Sequence, residues 1–138
     1  MKTVREIVRV HSRQKVEIVD ITREVEAAVR RSGISEGMVL VFPHHTSMAV
    51  YISDSDRSLT LDMVDVLEKL VPHDAEYRHD SADPKRNAHA HLKASLSGHH
   101  IVLPLTGGKL DLGMYQTIYC AEFDGMRPKE ILVKVCGE

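Results

Sequence analysis

The chain of 138 residues lacks most of the features that mark a functional class on sight. Its two cysteines, Cys120 and Cys136, lie far apart and outside any C-x-x-C pattern, so a disulfide scaffold is excluded. There is no surplus of basic charge: 18 Lys+Arg stand against 20 Asp+Glu, leaving no broad positive field for duplex nucleic acid. No apolar run approaches the ~20 residues of a membrane-spanning helix. The opening MKTVREIVRVH reads as a charged alternating strand, not a signal peptide. Repeats, linkers and low-complexity tracts are missing, as are H-E-x-x-H, G-x-S-x-G and dinucleotide-binding patterns. These absences point to a cytoplasmic protein. The remaining composition, 43% hydrophobic and 28% charged, suits one folded domain over residues 1–138. A chain of this length buries roughly 68–70% of its unfolded surface and needs no metal or disulfide to hold a core.

One residue type is abundant: nine histidines, scattered along the chain. Histidine is the commonest metal ligand and the side chain that titrates nearest neutral pH, so their placement matters. Alternation at Thr3–His11 and Val16–Ile21 predicts two strands joined by a turn at 12–15. Thr22 can cap a helix with Val25, Ala28 and Val29 on its apolar stripe and Gly33 just past its end. Gly37–Phe42 is a continuous apolar run, expected to be buried on both faces, and His44–Ile52 is expected to continue as strand. Ser58 opens a helix whose stripe is Leu59, Met63, Val66, Leu67 and Leu70, stopped before Pro72. A long polar loop over 71–86 follows, of the kind that is functional or disordered. Asn87 can cap a short helix through Ser97. Strands are then predicted at Ile101–Leu105, Tyr115–Phe123 and Ile131–Val135, with a Gly107-Gly108 turn. Strands, inserted helices and strands again define an α+β domain with a largely antiparallel sheet or sandwich and two or three helices.

Four stretches can carry chemistry. In Pro43-His44-His45-Thr46-Ser47, strand alternation puts His45 with Ser47 and turns His44 the other way. In Asn87-Ala88-His89-Ala90-His91, the two histidines stand about 200° apart on a helix, so only one faces a site. His91 is the better candidate, stacked with Asn87 and Ser95. His79, beside Asp80, lies in the long loop. Alternation from Gln116 puts Ile118, Cys120, Glu122 and Asp124 on one face, with polar groups at both ends and Cys120 as a small core residue. Gly107-Gly108-Lys109 lacks the strand-to-helix context of a phosphate loop and reads as a hairpin. Spacing alone thus gives a histidine-rich domain with a three-histidine metal or acid–base site, suited to zinc or a related divalent ion.

Taken in order, these stretches resemble the YjbQ family, known as secondary thiamine-phosphate synthases. The resemblance rests on His45-Thr46-Ser47, Tyr77-Arg78-His79-Asp80, the helix from Asn87 to Ser95, and Leu110-Asp111-Leu112-Gly113 running into Gln116 and Glu122-Phe123-Asp124-Gly125. With the closing Ile131–Val135 strand, these cover nearly the whole chain; each is weak alone and the ordered set is specific. The resemblance implies a homotrimer with sites near subunit boundaries. It implies that His45, His79 and His91 surround a divalent metal (zinc, magnesium or manganese), and that Gln116 and Glu122 belong to the family pattern. Three positions depart from that pattern: Ser53-Asp54 stand where Asn-Glu is usual, and Tyr115 stands where Trp is usual.

The implied reaction joins a pyrimidine diphosphate to a thiazole phosphate and releases pyrophosphate. His45, His91, Glu122 and Gln116 are then the catalytic candidates. Charge developing on the leaving diphosphate calls for cations and donors, which Lys93, Arg127, Thr46, Ser47 and a histidine-held metal can supply, with Asp54 near the substrate. That supply is thin for two phosphorylated substrates, which marks the activity as secondary to another small anion. Two other functions fit the same residues. One is a metal-dependent hydrolase of a small phosphorylated or anionic metabolite; the other is a non-catalytic ligand-binding trimer.

Overall fold

The computed structural model describes residues 1–138. Alternating Val8 and Val10 place one face of β1 (Lys2–Val10) inward, and β1 pairs antiparallel with β8 (Lys129–Gly137). On its other edge β8 pairs with β3 (Gly37–Pro43), which pairs with β5 (Ile101–Thr106), whose hairpin mate is the short β6 (Lys109–Leu110). A second sheet holds β2 (Glu17–Asp20), β7 (Gln116–Glu122) and β4 (Met48–Asp54). All pairings are antiparallel, giving an α+β sandwich of eight strands and three α-helices.

The core lies between the sheets. Val39, Val41, Val133 and Val135 of the larger sheet meet Val50, Ile118 and Cys120 of the smaller. Helix α1 (Thr22–Ser32) adds Val25, Ala28 and Val29, the predicted stripe, and ends at Gly33 with φ 70°, a backbone shape that suits glycine. Outside the smaller sheet, α2 (Arg57–Leu70) and α3 (Ala88–Ser97) set Leu67, Ala90 and Ala94 against Ala49, Ala121 and Phe123. No helix is long and apolar enough to cross a membrane.

Several expectations need correction. Gly37–Phe42 is buried on one face only: Val39 and Val41 are enclosed, while Met38 is 60% exposed, because no layer covers the outside of the larger sheet. The strand does not run on through His44. It ends at Pro43, which has no N–H to donate, and residues 44–47 turn the chain from one sheet to the other. Strand alternation therefore does not govern His44 and His45. On α2 only Leu67 is buried; Leu59, Val66 and Leu70 lie to one side of the contact.

The helix caps also differ. Asp56 caps α2 through the Ser58 N–H, ahead of the expected Ser58. Thr22 accepts from the Ile118 N–H, and Asp20 accepts the Thr22 N–H. Within the 71–86 loop a 3-10 turn, Arg78–Ser81, buries Asp80, whose Oδ1 accepts the Ala88 N–H at 3.0 Å. That bond satisfies the start of α3 from outside and leaves the Asn87 side chain for another task.

Candidate active site

The site begins at the turn between the sheets. His45 Nδ1 lies 3.1 Å from the Ser47 N–H and 2.9 Å from Ser47 Oγ. The backbone N–H can only donate, so Nδ1 is an acceptor and the neutral ring carries its proton on Nε2. Behind Ser47, which is fully buried, sits the ammonium of Lys129. Its Nζ donates to Ser47 Oγ at 2.8 Å, to Glu122 Oε1 at 2.6 Å and to the Asp124 carbonyl at 2.6 Å, which uses all three protons. Glu122 is 0% exposed; Oε1 also accepts the Asp124 N–H, while Oε2 has no partner. Burial, then Lys129 and Arg127, push the His45 pKa down from its ordinary value.

A second chain of bonds fixes His79. The Asp124 carboxylate takes Lys15 at 2.9 Å, Arg127 at 3.2 Å and Asn87 Nδ2 at 3.1 Å. Burial would raise its pKa, yet the hydrogen bonds from Lys15 and Asn87 hold it at about 2. With its amide nitrogen spent on Asp124, Asn87 offers Oδ1 to His79 Nε2 at 3.2 Å, and Asp83 lies 3.3 Å from the same nitrogen. His79 therefore carries its proton on Nε2 and leaves Nδ1 free. His91 donates from Nδ1 to the Thr46 carbonyl at 3.2 Å, which leaves Nε2 free. The His79 and His91 rings meet edge to face, centroids 5.2 Å apart, beside an open basin of about 590 Å³ that also touches Tyr77, Arg78 and Leu92.

These bonds bear on the implied metal. His79 and His91 each tie one nitrogen back to the protein and keep a lone pair, the arrangement metal-ligating histidines use. His45 does not: its Nδ1 receives two donors and its Nε2 is protonated. No three His, Cys, Asp or Glu side chains converge closely enough to enclose an ion. The three-histidine ligand set does not fit these hydrogen bonds, because His45 offers no free lone pair.

His45, His79, His91, Ser47, Glu122 and Arg127 thus gather at one end of the smaller sheet, with Thr46 contributing its carbonyl. Gln116 and Asp54 pair with each other in register at the opposite end. Six residue steps of strand separate Gln116 from Glu122, about 20 Å. Gln116 there accepts the Gly113 N–H at 2.7 Å. Lys93 lies apart as well, 2% exposed, donating to Glu68 Oε1 at 2.7 Å and to His89 Nδ1 at 3.0 Å. So the two histidines of α3 do go separate ways, His91 to Thr46 and His89 to Lys93.

Sequence reasoning missed Lys129 altogether. The signal was its phase: it shares the inward face of β8 with Ile131, Val133 and Val135, where a charge needs a reason.

An antiparallel sandwich of this kind is the fold of solved YjbQ-like proteins. The family model described as UPF0047 protein YjbQ-like matches residues 6–138, and the chain belongs to that family. A UPF0047 protein of Archaeoglobus fulgidus is 45% identical over 121 residues, covering 88% of this chain and 92% of its own. UPF0047 protein YugU of Bacillus subtilis is 33% identical over 131 residues, covering 94% and 96%. Among solved structures, a YbjQ-like protein from Sulfolobus solfataricus superposes with a TM-score of 0.94 at 34% identity over 99% of both chains. A family member from Clostridium acetobutylicum gives 0.88 at 36%, over 95% of this chain and 99% of that one.

Proposed function

We propose that the chain is a transferase of the thiamine-phosphate synthase class, joining a pyrimidine diphosphate to a thiazole phosphate with release of pyrophosphate. One observation carries the reading: three imidazoles gathered around the 44–47 turn each tie one nitrogen to the protein and turn the other away from that bond. Donors fixed before the substrate arrives stabilise charge developing on a leaving diphosphate without reorganising. In this reading His45 Nε2–H and the part-exposed Arg127 face phosphoryl oxygens, while Glu122 and Lys129 hold His45 from behind. His79 and His91, each keeping one nitrogen unprotonated, would be the residues to hold a divalent ion, which would neutralise phosphate charge.

The test is thiamine phosphate formation from the two precursors with magnesium, comparing the parent with His91→Ala. Formation by the parent and at least a hundredfold loss in the variant, on the scale of about 10²–10³ for one lost stabilising group, supports the reading. Equal or no formation by both overturns it. The free lone pairs of His79 and His91 favour a second reading, a metal-dependent phosphate-ester hydrolase; hydrolysis abolished by a chelator and restored by zinc or manganese would select it.

We also propose a homotrimer. The uncovered face of the larger sheet shows Met38 and Val102 at 60% and 56% exposure, beside half-buried Leu40 and Phe42. Light scattering at a single-chain mass would remove the trimer.

A further inference from the structure

We infer that Lys129 and Ser47 are positioning residues that lock His45 as a neutral hydrogen-bond donor through Nε2, so that it meets an oxyanion and not a metal ion. The lock deepens the transferase reading and rests on it only for the identity of the oxyanion. Its logic is a count of protons. Lys129 Nζ is 3% exposed at its side chain and spends its protons on Ser47 Oγ, Glu122 Oε1 and the Asp124 carbonyl. Because Ser47 Oγ already accepts from Lys129, its own proton is directed to its nearest acceptor, His45 Nδ1 at 2.9 Å; Glu122 Oε1 is at 3.5 Å. The Ser47 N–H reaches the same nitrogen at 3.1 Å. Two donors on Nδ1 leave it no proton of its own, so a neutral ring must carry one on Nε2. An Nε2–H offers a lone pair to nothing. It donates, and an acceptor oxygen is its natural partner.

The arrangement differs at His79 and His91, which line the basin, donate from the nitrogen that is tied back and keep the outer one unprotonated. The end of the smaller sheet at the 44–47 turn therefore gathers one fixed donor, His45, and two fixed acceptors, His79 and His91. A phosphate ester that still carries a proton, or one accompanied by a cation, matches both kinds of group at once.

The experiment reads tautomers directly. The full chain, labelled with nitrogen-15 in histidine, is studied by long-range proton–nitrogen correlation at about pH 8, where an ordinary histidine is neutral. His45→Gln assigns the His45 signals by their loss. The expected spectrum has His45 Nε2 protonated and Nδ1 unprotonated, with His91 the reverse. Ser47→Ala removes one of the two donors on Nδ1 and keeps the backbone N–H, and Lys129→Met frees the hydroxyl to accept; both should move the His45 nitrogens part of the way toward the average of the two tautomers. If Lys129→Met does not fold, Ser47→Ala decides alone.

Zinc added to the parent should leave the His45 nitrogens in place, and inorganic phosphate should move the Nε2–H signal. His45 protonated on Nδ1, or losing its Nε2 proton to zinc, or unmoved in Ser47→Ala, overturns the lock. All of these are read without substrate, so failed thiamine phosphate formation leaves the lock standing, and a failed lock leaves the synthase assay to stand separately.

Discussion

Two buried lysines in this molecule do different things with almost the same parts. Lys129 and Lys93 are each nearly sealed from solvent, each bonded to one glutamate, and each linked to a histidine Nδ1. The difference lies in what stands between. Lys93 touches His89 directly, and its glutamate is open: the Glu68 side chain is 40% exposed and also binds His73 at 2.6 Å. Lys129 reaches His45 only through Ser47, and its glutamate is closed at 0% exposure with one oxygen unpartnered. The first arrangement is a latch between α2 and α3, its charge handed to water. The second keeps its charge inside and turns an imidazole outward. An internal ion pair without solvent relief is weak evidence for stability, and its better explanation is the ring it holds in place.

The largest expected effect comes from breaking each pair at its lysine. Lys129→Met strands Glu122 and should destabilise by about 3–5 kcal/mol. Lys93→Met leaves Glu68 to be hydrated and should cost about 1–2 kcal/mol, near the value of a hydrogen bond to a charged group. Urea unfolding of both variants measures the gap; equal losses would erase the distinction between latch and relay.

Next is the acid limb of stability. Asp124 and Glu68 titrate at about 2, below their ordinary 3.8 and 4.5. A depressed carboxylate pKa lends stability that is complete above the ordinary value and is lost as pH falls through the folded one. Between about pH 4 and 2, Asp124→Asn should flatten the acid loss of stability more than Glu68→Gln, because Asp124 is shielded and Glu68 is hydrated. Acid titrations followed by circular dichroism check the order.

The smallest effect is on stability when the histidines themselves are removed. His45→Ala and His89→Ala each delete one acceptor, about 0.5–1.5 kcal/mol. Turnover should separate them, falling with His45→Ala and staying near the parent's with His89→Ala.

Much of this was legible in the sequence where periodicity is local. The α1 stripe with its glycine stop, the hairpin at Gly107-Gly108 and the inward face of β7 through Ile118, Cys120 and Glu122 all follow from spacing. What escaped depends on layers that a linear pattern does not encode. Gly37–Phe42 is apolar throughout, yet nothing in its own residues says that one side of its sheet is bare. His45 and Ser47 were paired as neighbours on a strand face. They do touch, but through a turn in which the His45 ring bonds the backbone two residues on. Lys93 read as a free cation for substrate, although its bond to His89 four residues earlier is a helix-spacing contact. Lys129 stands as one charged residue at the start of an apolar strand, and only the partner layer shows that its ammonium is enclosed.

Strand β8 runs between β1 and β3, so the larger sheet has a missing slat until residues 129–137 arrive. β1 and β3 each meet a different edge of that strand, so both lose their shared partner without it. A nascent chain halted before Lys129 would expose two bare strand edges and would enclose Glu122 with no counter-charge. Such non-local pairing is slow to form, and open edges recruit other chains. Closing the larger sheet and setting Lys129 against Glu122 are therefore the same structural event, both carried by the last strand.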